Sequence, residues 1–175
     1  MNPMPSRFVT ALVLGLLIPS FSNAQNMDNA QLEQILQTVS DTVIGEAGAW
    51  EIFVDNMAML VVTDESHNRM RIISPIMEVK DMTPEQLQAA MDANFHSALD
   101  VKYATSSGLM WAAFIHPLKE LQQHQVLDAI TQVYRAKRTF GTSYTSTDLF
   151  YPKKGETPQP DKTKQPSSKR QLQKS

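Results

Sequence analysis

Apolar positions recur at helical spacing first between Asp28 and Ile44. Leu32, Ile35, Leu36, Val39 and Val43 fall on one face there, and Asp28 is placed to cap the start, with Gln31 as its capping-box partner. Gly45 follows, a residue that accepts the left-handed conformation and so predicts the helix stop. The period then changes to two. Trp50, Ile52 and Val54 alternate with Glu51 and Phe53, which predicts a strand. Asp55-Asn56 predicts a bend, and Met57 to Val62 is apolar at every position, as in a strand covered on both faces. The polar run Asp64 to Asn68 predicts a turn, and Arg69 to Met77 a third strand. On it Met70, Ile72 and Ile76 share one face, and Arg69, Arg71 and Ile73 the other; Pro75 belongs near the strand end or on an edge.

Helical spacing returns from Thr83 to Leu99. Thr83 is the predicted N-cap, Pro84 holds the first helical position, and Gln86 completes a capping box. Leu87, Met91, Phe95, Ala98 and Leu99 form the stripe expected to be buried. Val101 to Thr105 and Leu109 to His116 read as a hairpin across Ser106-Ser107-Gly108, the second strand again apolar on both faces. A last helix is expected from about Leu118 to Lys137, with Leu121, Val126, Ala129, Ile130 and Val133 inward. The order α-β-β-β-α-β-β-α predicts an α+β fold with a five-stranded antiparallel sheet. Three helices on one side give too little cover for such strands. Either a helix crosses to the second face or a partner chain covers it.

Charge divides the chain. Residues 25–150 carry 16 acidic and 8 basic side chains, whereas residues 151–175 carry 7 basic and 2 acidic ones. The acidic body argues against a nucleic-acid groove. The tail, with four prolines and only Leu172 as a large aliphatic, reads as a basic disordered segment. Weak contact with an anionic membrane surface is its functional reading; folding back onto the acidic body is another.

The N-terminus reads as a signal peptide. Arg7 precedes the apolar run Phe8 to Ile18, and Ser22-Asn23-Ala24 places small residues where a signal peptidase reads. Eleven helical residues span about 17 Å, short of a hydrocarbon core of about 30 Å. Cleavage is expected between Ala24 and Gln25, which implies a periplasmic protein. The expected organisation is thus 1–24 signal peptide, 25–150 α+β domain, 151–175 tail.

Chemistry is sparse. Cysteine is absent, which removes disulfides, thiolate catalysis and Cys-type zinc sites. His67, His96, His116 and His124 form no HExxH-type pair, and neither a P-loop nor a GxSxG is present. Asp64-Glu65 and Asp55 read as turn residues rather than acid/base groups. No catalytic residue, metal site or cofactor is assigned. Arg69, Arg71 and Ile73 form the candidate partner-binding patch. The alternative reading is a small hydrolase or metal-binding protein with a site near His116.

Several segments together resemble the YbjN family: WEIFVDN at 50–56, NRMRIISPI at 68–76, Asn94-Phe95, the stretch 108–118 ending in HPL, and FGTSYTSTDLF at 140–150. The likeness spans about Met27 to Phe150. It implies a domain like that of the type III secretion chaperones, with the same element order. It also implies a non-enzymatic role, under the family label of sensory transduction regulator. The chaperone relatives are small acidic dimers that bind extended segments of partner proteins. An unnamed protein partner and a homodimer are therefore the expected associations. The signal peptide and the basic tail depart from those cytoplasmic chaperones.

Overall fold

The computed structural model describes residues 26–147. The signal-cleavage pair Ala24–Gln25 and the whole of the basic tail, 151–175, lie outside the described residues. Within the described residues, three α-helices and a six-stranded antiparallel sheet make an α+β fold. Helix α1 is Asn29–Val39. Strands β1 (Thr42–Glu46), β2 (Ala49–Val54), β3 (Met57–Asp64) and β4 (Arg69–Glu78) follow, then helix α2 (Pro84–His96), strands β5 (Lys102–Ser106) and β6 (Leu109–His116), and helix α3 (Gln123–Thr139). The sheet order is β1-β2-β3-β4-β6-β5.

The sixth strand corrects the expected five. Helix α1 stops at Val39, six residues short of Gly45, and Thr42-Val43-Ile44 is strand. These β-branched residues lose side-chain freedom in a helix and fit a pleated surface. Gly45 is thus a strand residue opposite Trp50, not a helix stop. Its φ is +123°, and a Cβ there would lie 2.3 Å from the Ala49 carbonyl oxygen, so glycine is required.

Helix α1 starts as expected, with an Asp28 carboxylate oxygen accepting from the Gln31 amide at 2.8 Å. At α2 the capping box is complete: the Gln86 amide donates to the Thr83 hydroxyl, and the Thr83 amide donates to the Gln86 side chain. Helix α3 begins at Gln123 rather than Leu118, behind Gln122, whose amide donates to the Gln125 side chain at 2.8 Å. Leu118 and Leu121 are still buried, but from the connection before the helix.

One face of the sheet carries the core. Trp50, Ile52, Met59, Val61, Met70, Ile72, Met110, Ala112 and Phe114 point to the side on which α1 and α3 pack. Near the end of β4 the register slips between Pro75 and Met77. Met77, not Ile76, therefore pairs opposite Met110.

Tyr103 joins β5 to α3. Its hydroxyl donates to the Ala136 carbonyl at 2.8 Å, and Phe140 and Tyr144 pack edge-on against its ring. Burial pushes the phenol up to about 12. The fold therefore favours its neutral form. Below the ordinary tyrosine value of about 10 this contribution to stability is complete, and it is lost as pH rises through about 12. Alkaline titration followed at 295 nm should show a late step near pH 12 that belongs to Tyr103. In Tyr103→Phe that late step should vanish.

Candidate protein-binding surface

The second face of the sheet is open. Residues paired across the strands place Ile44, Glu51, Leu60, Ile73 and Ala113 in one row. Glu46, Ala49, Val62, Arg71 and Ile115 make the next. Leu60 is 37 % exposed and Ile115 61 %, and Ile44 and Val62 are exposed as well. Within the single chain β3 and β6 are thus covered on one face, and among the described residues no helix crosses to the second. Their apolar residues were read correctly, but on the far side they meet solvent.

The candidate patch lies on this face. Arg69 and Arg71 are exposed, and Ile73 is half-buried between Leu60 and Ala113. The charges sort by side. Glu46 and Glu51 stand on the β1–β2 side, and Arg69 and Arg71 stand on β4. The apolar middle is formed by Leu60, Val62 and Ile73.

Helix α2 holds a second apolar surface. Leu87, Met91 and Phe95 are exposed, Phe95 to 87 %, while Ala90 and Ala93 face the core. Three of the five residues of the expected buried stripe therefore point outward, whereas Ala98 is buried and Leu99 half-buried. The helix also ends at His96, before Ala98 and Leu99. The cause is close packing by small residues. Asn94 adds to it, because its side chain accepts from the Tyr103 amide at 2.7 Å and donates to the Tyr103 carbonyl at 2.9 Å. Those bonds mimic a neighbouring strand at Tyr103 of the edge strand β5. Lys102 fixes the other side of the contact by donating to the carbonyls of Asn94, Ala98 and Leu99 at the α2 C-terminus.

Among the described residues, the titratable groups do not converge on a reaction centre. The Asp64 carboxylate is held well below its usual range by the Ser66 hydroxyl and the His67 amide, in an exposed turn. Glu65 accepts from the Asn29 amide at the α1 N-terminus, at 2.9 Å. Asp55 and Asn56 both have positive φ, the geometry of a type I′ hairpin turn. His124 is exposed on α3, and the His96 ring packs edge-on against Phe95.

His116 borders an open cleft of about 400 Å³ shared with Asp100, Phe114, Leu121, Gln125 and Asp128. Its ring stacks on Phe114, and its Nδ1 lies 2.8 Å from the Pro117 carbonyl oxygen. Both acids of the cleft are engaged. The buried Gln132 amide donates to Asp128 at 2.7 Å and to Asp100 at 3.1 Å. These groups brace the junction between α3 and the loop before β5. Among the described residues, no three His, Asp or Glu side chains are grouped to hold a metal ion. Nor is any helix among them long and apolar enough to cross a membrane.

Sequence reasoning missed the bracing roles of Asn94, Glu65 and Gln132. Each depends on a partner distant in the chain, which local periodicity does not report. No protein-family model matches the chain, and no curated protein is similar to it. A chain of the solved HopA1–SchA chaperone–effector complex is similar in structure, with a TM-score of 0.50 and 16 % identity. The match covers 62 % of this chain and 88 % of that one. The fold is therefore an α+β arrangement resembling that of a type III secretion chaperone.

Proposed function

We propose that the chain is a non-enzymatic protein-binding module that acts in the periplasm after signal-peptide cleavage, and that its open sheet face is the binding surface. The exposed apolar centre of that face carries the reading. Four large side chains, Ile44, Leu60, Val62 and Ile115, stand in water on a face whose reverse side holds the core. A contiguous apolar patch on a soluble protein marks an interaction site. The chaperone-like fold supports a protein as the ligand, and the YbjN resemblance supports a regulatory setting.

A second copy of the chain is the first occupant. A two-fold axis that crosses β3 obliquely between Leu60 and Val62 sets Glu51 of one copy over Arg71 of the other. The two contacts flank a centre formed by Leu60 and Val62 of both copies. Stacked sheets separated by about 10 Å accommodate such side chains.

Static light scattering and sedimentation of the full chain test the reading from submicromolar to hundred-micromolar concentration. A reversible dimer is expected. A strict monomer throughout, with no protein captured by cross-linking in the periplasm, overturns the reading.

A further inference from the structure

The sheet is incomplete at one point of its edge. Strand β6 runs to His116, whereas its neighbour β5 begins only at Lys102, opposite Ala113. The Asn94 side chain occupies both the N–H and the C=O of Tyr103, so those groups point away from β6. In an antiparallel pair the backbone alternates, so Lys102 and Ala104 point toward β6, and their partners Ala113 and Trp111 point toward β5. Ile115, two residues on, then also turns its N–H and C=O to the β5 side. A continued β5 would place Asp100 opposite it. The Asp100 amide instead donates to the Gln132 side chain at 3.1 Å. Among the described residues, neither backbone group of Ile115 has a protein partner.

Those two groups border the cleft of about 400 Å³ beside His116. Pockets for small ligands span about 300–1,000 Å³. The free charge in the cleft is negative. Asp100 and Asp128 each give Oδ2 to the Gln132 amide, and neither Oδ1 has a hydrogen-bond partner among the described residues. Lys102, the cation of the cleft, is held by the carbonyls of Asn94, Ala98 and Leu99.

An unpaired N–H and C=O on a strand edge is a template for an extended chain. A residue set opposite Ile115 would exchange two main-chain hydrogen bonds with it. Residues paired across a sheet share a face, so that residue would project with Ile115 on the open side. Its two neighbours would project to the side of α3, where Asp128 stands. Basic side chains at those two positions meet the acids.

We propose that the cleft binds an extended basic segment of a partner protein, whose main chain pairs with Ile115 beyond the end of β5 and whose lysine or arginine side chains reach Asp100 and Asp128. The kind of ligand rests on the protein-binding reading, but the site is separate from the open sheet face and stands whether or not that face forms a dimer.

The probe is the acetylated and amidated pentapeptide Ala-Lys-Val-Lys-Ala, titrated into the isotope-labelled full chain by NMR. The Ile115 amide proton should move downfield, and its hydrogen exchange should slow at saturation. The same peptide with glutamine in place of lysine should bind about tenfold more weakly. Asp100→Asn with Asp128→Asn should weaken the lysine peptide by a similar factor and leave the glutamine peptide unchanged. Ile115→Pro removes the N–H without breaking a ladder bond and should weaken both peptides about tenfold. Ile115→Thr alters the side chain alone and should not. Far-UV circular dichroism checks each fold, and the wild-type amide shift decides the matter should Ile115→Pro unfold. Leu60→Asp should bind the peptide as the wild type does; loss of binding there moves the peptide to the open sheet face and overturns the proposal. An Ile115 amide that stays in place at millimolar peptide overturns it too, as does Ile115→Pro binding as tightly as Ile115→Thr.

Discussion

Trp50→Ala should lower the free energy of unfolding by about 3–5 kcal/mol, the range for emptying a buried aromatic site. Trp50 is 2 % exposed and stands opposite Val61 on β3 and Gly45 on β1, on the face that α1 and α3 cover. Gly45 has no side chain to move into the space, and the Ala49 carbonyl leaves no room for one there. The cavity therefore stays largely open. A domain of this size is stable by about 5–15 kcal/mol, so the loss is a large fraction of the total. In urea, with a slope of about 1–3 kcal/mol/M, the midpoint should fall by more than 1 M. The 2 tryptophans make the measurement clean, because the variant leaves Trp111 as a single fluorophore. Trp111 is only half-buried on the open face, so Trp111→Ala should cost far less. Equal losses for the two would mean that the core is not built around Trp50.

Where the chain's pattern was unambiguous, it placed the elements well. The capping box at Thr83 and Gln86 starts a helix because two backbone donors find side-chain acceptors within three residues. Alternation on β4 put Arg69 and Arg71 on the face opposite Met70 and Ile72, where they are. These outcomes are local and owe little to distant contacts. The misreadings share the opposite cause. Val39 and Val43 continue the spacing of α1, so periodicity alone carries the helix through what is β1; the pairing of Thr42–Glu46 with Ala49–Phe53 decides otherwise. On α2 an apolar stripe was visible, but which stripe turns inward depends on its neighbour. Ala90 and Ala93 allow close approach, and Asn94 bonds to the β5 edge. Leu87, Met91 and Phe95 are then left outside. The candidate patch was legible as a face, through the alternation of Arg69, Arg71 and Ile73. Its extension to Ile44 and Ile115 was not, because it needs the register of five strands.

Leu60→Asp should weaken self-association by about 30-fold or more while leaving the monomer folded. At 37 % exposure a carboxylate at position 60 stays solvated in the single chain. Intrinsic strand preference adds at most about 1 kcal/mol. Once a second sheet covers the site, the same carboxylate is buried without a partner, and truncating or charging a central contact costs about 2 kcal/mol or more. At 1.4 kcal/mol per tenfold, that is the stated loss. Charge reversal separates a second copy from an unrelated partner. Glu51 on β2 pairs with Leu60 of β3, and Arg71 on β4 pairs with Val62 of β3. Glu51→Arg or Arg71→Glu alone sets like charges face to face in a two-fold pair. Combining them restores opposite charges at both contacts. Sedimentation equilibrium should therefore show each single variant weakened and the double variant recovered. Losses that simply add in the double variant would show that Glu51 and Arg71 do not meet across a two-fold axis. An undiminished dimer in Leu60→Asp would place the interface on another surface altogether.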